Sequence, residues 1–478
     1  MTAAITAGRV ATLVTDFPRS PAYAGLADAL AVVIGDGRIP LDTRLPSERE
    51  LTEALGVSRT TVTRAYAALR EAGYAESRRG SGTFTRVPGG RSRAHDRALL
   101  PRADTERTID LNCAAPSAPP GVAQAYADAV TELPAYLGGH GYFPAGLPRL
   151  QQAIAATYAE RGLPTDPSQI MVTPGALSAA SIVAHALTGP GDRVLVESPT
   201  YPNATDALRR TGARLRPTPV DPDGWDLDAT TALLRQTAPR LAYLVPDFQN
   251  PTGHLMTDPQ REQYAAALRR TRTIPIVDEA HQALALDGQL MPRPFAAYAH
   301  DAITIGSSSK GFWGGLRIGW IRAPHTLMEH LTRTRVSMDL GAPVLEQLVL
   351  VRLLAESEHI LEANRTRLRK QRDALVAGVR DRLPDWRFRR PTGGLALWCQ
   401  LPDPFAIAVT TEAEQHGVIV APGPVFAAEG GLDRFLRIPW TRPVDELSTA
   451  VEVLAEAWST VRSRPGRGVG TPTRVMVA

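Results

Sequence analysis

The sequence predicts an α/β protein built of two unequal parts, and three observations predict it. After Ile109, short β-like runs alternate with helix-length segments. Before Val87, a helix, a tight turn, a second helix and a short hairpin follow one another. Between the two, residues 88–108 are rich in Arg, Pro, Gly and Ala and carry no sustained apolar pattern, which marks a linker. A chain of 478 residues is too long for one ordinary domain. The expected division is a small unit over 16–87, the linker 88–108, a larger domain over 109–463 and a disordered tail over 464–478.

The first fifteen or so residues lack periodicity and are expected to fray. From Pro21, the apolar residues Leu26, Leu30, Val33 and Ile34 share one helical face that ends at Gly35 and Gly37. Ser47 and Glu50 form a capping box ahead of Leu51 and Leu55. Gly56 and Val57 make a tight turn, and Ser58 caps the next helix, which points Val62, Ala65, Tyr66 and Leu69 inward until Gly73 stops it. Tyr74 to Ser77 and Thr83 to Thr85 then read as strands of a hairpin with a basic tip.

That order is the layout of a winged helix-turn-helix, whose second helix enters the major groove of DNA. The outward residues of that helix are Ser58, Arg59, Thr60, Thr61, Thr63 and Arg64, all able to reach phosphates or base edges. Charge agrees with this. The chain carries only +4 overall, but from Arg59 to Arg93 eight arginines face two glutamates, a surplus of six suited to a phosphate backbone or to a solvated surface. The runs Leu45-Pro46-Ser47-Glu48-Arg49-Glu50-Leu51, Gly56 to Val62 and Gly80-Ser81-Gly82-Thr83-Phe84 closely resemble the GntR family of bacterial regulators. The resemblance implies that Arg49, Ser58, Arg59, Thr60 and Thr61 contact double-stranded DNA, with Arg79 and Gly80 contacting it from the wing. Some relatives carry a basic residue where this chain has Thr63.

Other classes are excluded. No secretory leader and no membrane-spanning apolar run is present, so a cytoplasmic protein without membrane attachment is expected. Cys113 and Cys399 are the only cysteines, which rules out a disulfide framework and an all-cysteine metal cage, and no metal site is expected.

In the larger domain the β-like runs are Ile170 to Thr173, Arg193 to Glu197, Leu241 to Pro246, Ile274 to Asp278 and Ala302 to Gly306, which predict a mostly parallel sheet. Lys310 and Lys370 are the only lysines. Lys370 lies among Arg365, Arg367, Arg369 and Arg372 on a charged helix, whereas Lys310 directly follows a strand, where a lysine's pKa can fall far enough to form a Schiff base. Taken alone it could equally be a surface turn residue. Asp278, ending another strand, can keep a pyridine nitrogen protonated or simply cap the next helix. Arg317, with Ser307 and Ser309, can bind a phosphate, and Gly175 and Ala176 open a helix whose backbone N–H groups form an anion site.

The order and spacing of these groups resemble fold-type I pyridoxal-phosphate aminotransferases, with large and small domains, over nearly all of residues 109–463. The resemblance implies pyridoxal 5'-phosphate on Lys310, with Asn250 bonding the ring hydroxyl and Tyr201 stacking on the ring. Tyr142 would reach the phosphate of a neighbouring subunit, which implies a homodimer, and Arg437 would clamp a substrate or effector carboxylate. His281 departs from the pattern, standing where these enzymes usually carry a tyrosine that tunes the cofactor. Ala176 and Leu177 replace polar residues that often assist phosphate binding. Both resemblances in one chain are similar to the MocR subfamily of GntR regulators. There the aminotransferase-like part senses the cofactor, alone or with an amine or amino acid, and the winged helix binds an operator. The departures tilt the expectation toward a sensor. The alternative is an active aminotransferase with an appended DNA-binding module.

Overall fold

The computed structural model describes residues 4–15, 17–35, 38–78, 80–86, 88 and 108–463. Gly37, Arg79, the linker apart from its two end residues and the tail 464–478 lie outside the described residues.

The expectation of a frayed start is corrected. Ala7–Leu13 forms helix α1, capped by the Thr6 hydroxyl, and buries Val10 and Leu13 in the same apolar cluster as Leu26, Leu51 and Val62. So short a helix is not stable alone and exists because that cluster covers one face of it. Helices α2 (Ala22–Gly35), α3 (Glu48–Leu55) and α4 (Arg59–Glu71) follow, then the antiparallel hairpin of β1 (Ala75–Arg78) and β2 (Gly82–Thr85). The capping box forms: Glu50 N donates to Ser47 Oγ at 3.3 Å and Ser47 N to Glu50 Oε2 at 2.8 Å. Gly56, at φ 63°, ends α3 in the left-handed region that favours glycine. Ser58 Oγ accepts from Thr61 N at 3.1 Å, and Val62, Ala65, Tyr66 and Leu69 are buried as their i, i+3, i+4, i+7 spacing requires. Tyr66 Oη donates to Pro46 O at 2.8 Å, tying α4 to the segment that leads into α3.

After β3 (Ile109–Asp110) the larger domain builds a sheet from β4 (Ile170–Thr173), β5 (Arg193–Ser198), β6 (Arg214–Asp221), β7 (Gly224–Trp225), β8 (Leu241–Leu244), β9 (Ile274–Asp278), β10 (Ile303–Ser307) and β11 (Gly319–Arg322). Their order is β4-β11-β10-β9-β8-β5-β6-β7. The run from β10 through β9, β8 and β5 to β6 is parallel, and β11 lies antiparallel between β10 and β4. Side chains alternate across the sheet: Leu241, Tyr243 and Val245 join one core, Ala242 and Leu244 the other. Strand β6 carries Pro217 and Pro219, which hides it from a β-propensity reading, yet it is tolerated beside the two-residue β7 near the sheet's edge.

The small domain is a sheet ordered β12-β15-β14, from β12 (Ala396–Gln400), β14 (Ala421–Pro422) and β15 (Phe435–Pro439), covered by helices Ser357–Arg382, Ala406–Gln415 and Val444–Ser463. Strand β13 (Val418–Ile419) pairs in parallel with β3, so the chain enters the small domain first and then carries Asn112–Ala114 across to Lys310. Among the described residues no helix is long and apolar enough to cross a membrane.

Candidate functional site

The predicted residues gather at one edge of the large sheet, where the parallel strands end. Gly175 follows β4, Tyr201 follows β5, Asn250 follows β8, Asp278 ends β9, and Ser307, Ser309 and Lys310 close β10 and the turn after it. Ligands of open α/β sheets bind at this edge. The turn carrying Asn250 is fixed from behind by a fully buried ion pair, Arg261 to Asp247 at 2.5 Å, with Arg261 Nε also donating to Met256 O at 2.9 Å.

Lys310 Nζ donates to Ala114 O at 3.0 Å. Burial pulls its ammonium down to about 8, and the charges of Arg437 and Arg317 act the same way against Cys113 and Asp278. Lys370, by contrast, is exposed on helix Ser357–Arg382. Asp278 is buried, which raises its pKa; Tyr243 Oη, donating to Oδ2 at 2.6 Å, and Ala280 N, donating to Oδ1 at 2.9 Å, oppose that rise. His281 Nδ1 lies 3.0 Å from Phe248 O, which can only accept, so this nitrogen is assigned the proton. Burial and the nearby Lys310 push the imidazole down to about 4, leaving it neutral with a bare Nε2. Where the resemblance implies a tyrosine hydroxyl, this chain places an acceptor.

The anion end is made of backbone and one arginine. Helix Ala176–Leu187 starts after Gly175 with no side-chain cap, so its first N–H groups are free to face a phosphate. Gly175 sits at φ 94°, and a Cβ there would come within 2.6 Å of Arg317 Nη2. Arg317 Nη2 also donates to Pro174 O at 3.3 Å, and Ser309 N donates to Ser307 Oγ at 3.2 Å.

Arg437, on β15, is fully buried; it donates to Asn112 O through Nη2 and to Asn250 Oδ1 through Nη1 at 3.4 Å, and lies 4.9 Å over the Phe426 ring. Burial lowers its guanidinium to about 10, and among the described residues neither its Nε nor the buried Asn112 Oδ1 has a partner. Tyr201 accepts from Asn203 Nδ2 at 2.9 Å. Tyr142 alone is not brought in: it is 57% exposed and stacks on His140 at 5.8 Å. The sequence reading missed Tyr243, Phe426 and the Asn112–Ala114 crossing. Tyr243 could have been found as the lone hydroxyl within the apolar run Leu241 to Leu244; the other two are contacts across the fold with no local signature.

On the small N-terminal unit, Ser58, Arg59 and Thr60 are exposed at the start of α4, with Thr61 half-buried beside them. Arg59 Nε lies 3.8 Å from Glu48 Oε2, to which Thr63 Oγ1 donates at 2.7 Å. Arg49 pairs with Glu53 at 3.2 Å, and Gly80 is exposed at φ 74°. The positive surplus is thinner than the residue count suggests. Arg78 is held by Asp42 and Glu76, Arg86 by Glu76, and Arg64 stacks 3.6 Å over Tyr23.

Residues 117–454 match the aminotransferase class I and II family, and residues 22–85 match the gntR family of bacterial regulatory proteins. The probable rhizopine catabolism regulatory protein MocR of Rhizobium meliloti is 31% identical over 401 residues, 77% of this chain and 78% of that protein. The 2-aminoadipate transaminase of Thermus thermophilus is 31% identical over 282 residues, 57% of this chain and 71% of that enzyme. Among solved structures, LysN, the α-aminoadipate aminotransferase of Thermus thermophilus, superposes with a TM-score of 0.69 at 27% identity, covering 75% of this chain and 94% of that one. Pyridoxal 5'-phosphate, which the family binds, suits the groups present: a free helix N-terminus beside Arg317, an amine of lowered pKa, and buried polar atoms left without partners. The chain therefore belongs to the MocR subfamily of GntR regulators, in which a winged helix-turn-helix is fused to a fold-type I aminotransferase-like domain, and it is a DNA-binding transcription regulator that takes pyridoxal 5'-phosphate.

Proposed function

We propose that the larger domain, residues 109–463, senses an amine or amino acid through the cofactor and passes the signal across 88–108 to the DNA-binding unit, 16–87. Lys310 holds the cofactor covalently. Asp278 would hold its ring nitrogen and Asn250 its ring hydroxyl, with His281 beside them, and Tyr201 would pack against the ring. Gly175, Ala176, Ser307, Ser309 and Arg317 take the phosphate. When bound, the cofactor supplies an electrophilic carbon and an electron-withdrawing ring. The reading is carried by Arg437: a fully buried guanidinium with an unpartnered Nε, bonded to Asn250 and acting on Lys310, is suited to fork onto an effector carboxylate beside that electrophile.

The protein acts as a homodimer in the cytoplasm, with Tyr142 reaching the partner's phosphate site. The exposure of Leu137, Tyr142, Trp313, Met338 and Leu340 supports such a partner by offering it apolar side chains to cover. Arg49, Ser58, Arg59, Thr60, Thr61, Arg79 and Gly80 contact the operator. Operator affinity and protection footprint measured with and without pyridoxal phosphate and candidate amines test the coupling; identical results in every condition refute it. An Arg59→Ala variant is expected to bind operator at least tenfold more weakly, as loss of a bidentate base contact or a phosphate contact requires.

A second reading, a turnover aminotransferase, is favoured by the likeness to 2-aminoadipate transaminase and by the presence of Lys310, Asp278 and Arg437 together. Steady release of keto acid over many turnovers distinguishes it, since a sensor exchanges its ligand without net product.

A further inference from the structure

We infer that Tyr243 is a positioning residue for Asp278: its phenol fixes the carboxylate in the orientation and charge state that hold a proton on the cofactor's ring nitrogen. The inference rests on the assignment of Asp278 to that nitrogen and goes one residue further.

Tyr243 stands on β8 beside β9, is 1% exposed, and donates to Asp278 Oδ2 at 2.6 Å. Ala280 N occupies Oδ1 at 2.9 Å. Each carboxylate oxygen has two acceptor directions, so both oxygens are held in place and each keeps capacity for a further donor. Among the described residues no other side chain donates to Asp278.

The charges around the carboxylate explain why this one bond matters. Burial drives Asp278 toward its neutral acid, and Asp247 pushes the same way; Lys310 opposes them. Glu197, buried nearby on β5, is itself raised to about 7 by burial, with Asp278 adding to the rise. With Lys310 joined to the cofactor, its free ammonium would no longer be available to oppose them. What remains on the protein side is Tyr243 and one backbone N–H. Burial and the charge of Asp278 raise the phenol's own pKa well above its ordinary value, so it stays a donor throughout. Without it, the desolvated carboxylate would compete for the proton shared with the ring.

The test uses the full-length holoprotein carrying pyridoxal phosphate labelled with nitrogen-15, whose resonance reports whether the ring nitrogen is protonated. Asp278→Asn is expected to move the resonance to the neutral-pyridine position. Tyr243→Phe is expected to move it part of the way, shifting the shared proton from the ring nitrogen toward the carboxylate about tenfold to a hundredfold, the range for one hydrogen bond to a charged group. In the Asp278→Asn background, Tyr243→Phe should add nothing. If Asp278→Asn moves the resonance and Tyr243→Phe leaves it unmoved, the role of Tyr243 is overturned. If Asp278→Asn itself moves nothing, the assignment of Asp278 has failed instead, and the role of Tyr243 with it. Should Tyr243→Phe not fold, site-specific 3-fluorotyrosine at 243 keeps the shape and strengthens the donor. It is expected to keep the resonance at, or bring it closer to, the protonated limit, and a shift toward the neutral-pyridine position overturns the inference.

Discussion

Arg437 Nη1 donates to Asn250 Oδ1 across 3.4 Å, joining the small domain's β15 to the turn that follows β8 in the large domain. The bond sits between the two halves of the pocket, so a carboxylate that draws Arg437 toward itself also acts on the group assigned to the ring hydroxyl. Arg437→Lys is expected to lose the forked geometry and weaken carboxylate-bearing effectors about tenfold to a hundredfold, while cofactor binding persists. Titration calorimetry with an amino acid and with its decarboxylated amine checks this. Equal losses for both ligands would sink the carboxylate role.

Lys310 sets a pH dependence whose direction follows from its lowered pKa. A folded value of about 8 against an ordinary 10.5 means that the amine becomes neutral early, so covalent capture of the cofactor should rise with pH and level off just above pH 8. Between those two values the unfolded chain binds the extra proton, so Lys310 also makes the cofactor-free protein gain stability as pH rises from about 8 to 10.5. Stopped-flow absorbance of capture is the measurement, and a plateau only above pH 10 contradicts it. Lys310→Ala should abolish the cofactor's visible band, and a variant that kept it would remove the lysine assignment.

His281 gives the opposite end of the pH scale. Its value falls from an ordinary 6.5 to about 4 in the folded protein, so the unfolded chain takes up the proton first as pH drops. Stability contributed by the neutral imidazole is complete above about pH 6.5 and is lost on acidification toward pH 4. His281→Phe should be destabilised at pH 7, having left Phe248 O without its donor, but should lose less on going from pH 7 to 5 than the native chain. Urea midpoints of the cofactor-free proteins at both pH values decide it; equal losses would assign the acid sensitivity elsewhere.

A contact between the two parts offers the proposed coupling a specific place. Leu432 N donates to Gly35 O at 2.6 Å, where α2 ends, and Arg437 follows five residues later on β15. Arg9 of α1 also pairs with Asp226, the N-cap of helix Leu227–Thr237. A Cβ at Gly431 would meet Gly35 O at 2.8 Å, at a φ of 88° that side chains rarely adopt. Gly431→Val is therefore expected to break this contact and shrink the difference in operator affinity between ligand-bound and ligand-free protein. Fluorescence anisotropy with operator DNA measures it, and an unchanged difference would place the coupling elsewhere.

The local elements and the chemical inventory are legible in short stretches of sequence. Ser47 with Glu50, Ser58, Gly56 and the spacing of Val62, Ala65, Tyr66 and Leu69 fixed α3 and α4, because caps and helical periodicity act within a few residues. The apolar runs ending at Thr173, Asp278 and Gly306 located three strands of the sheet, and the scarcity of lysine left Lys310 as the amine to consider. Other features depend on groups far apart in the chain, which no short stretch records. Helix α1 exists because a distant cluster covers Val10 and Leu13. Arg78 pairs with Asp42, which lies outside the stretch whose charges were counted. The tautomer of His281, the lowered pKa of Lys310 and the bond from Tyr243 to Asp278 all arise from burial and from the direction in which buried donors point. Neither is a property of any stretch of sequence, because both are set by which strands and loops the fold lays side by side.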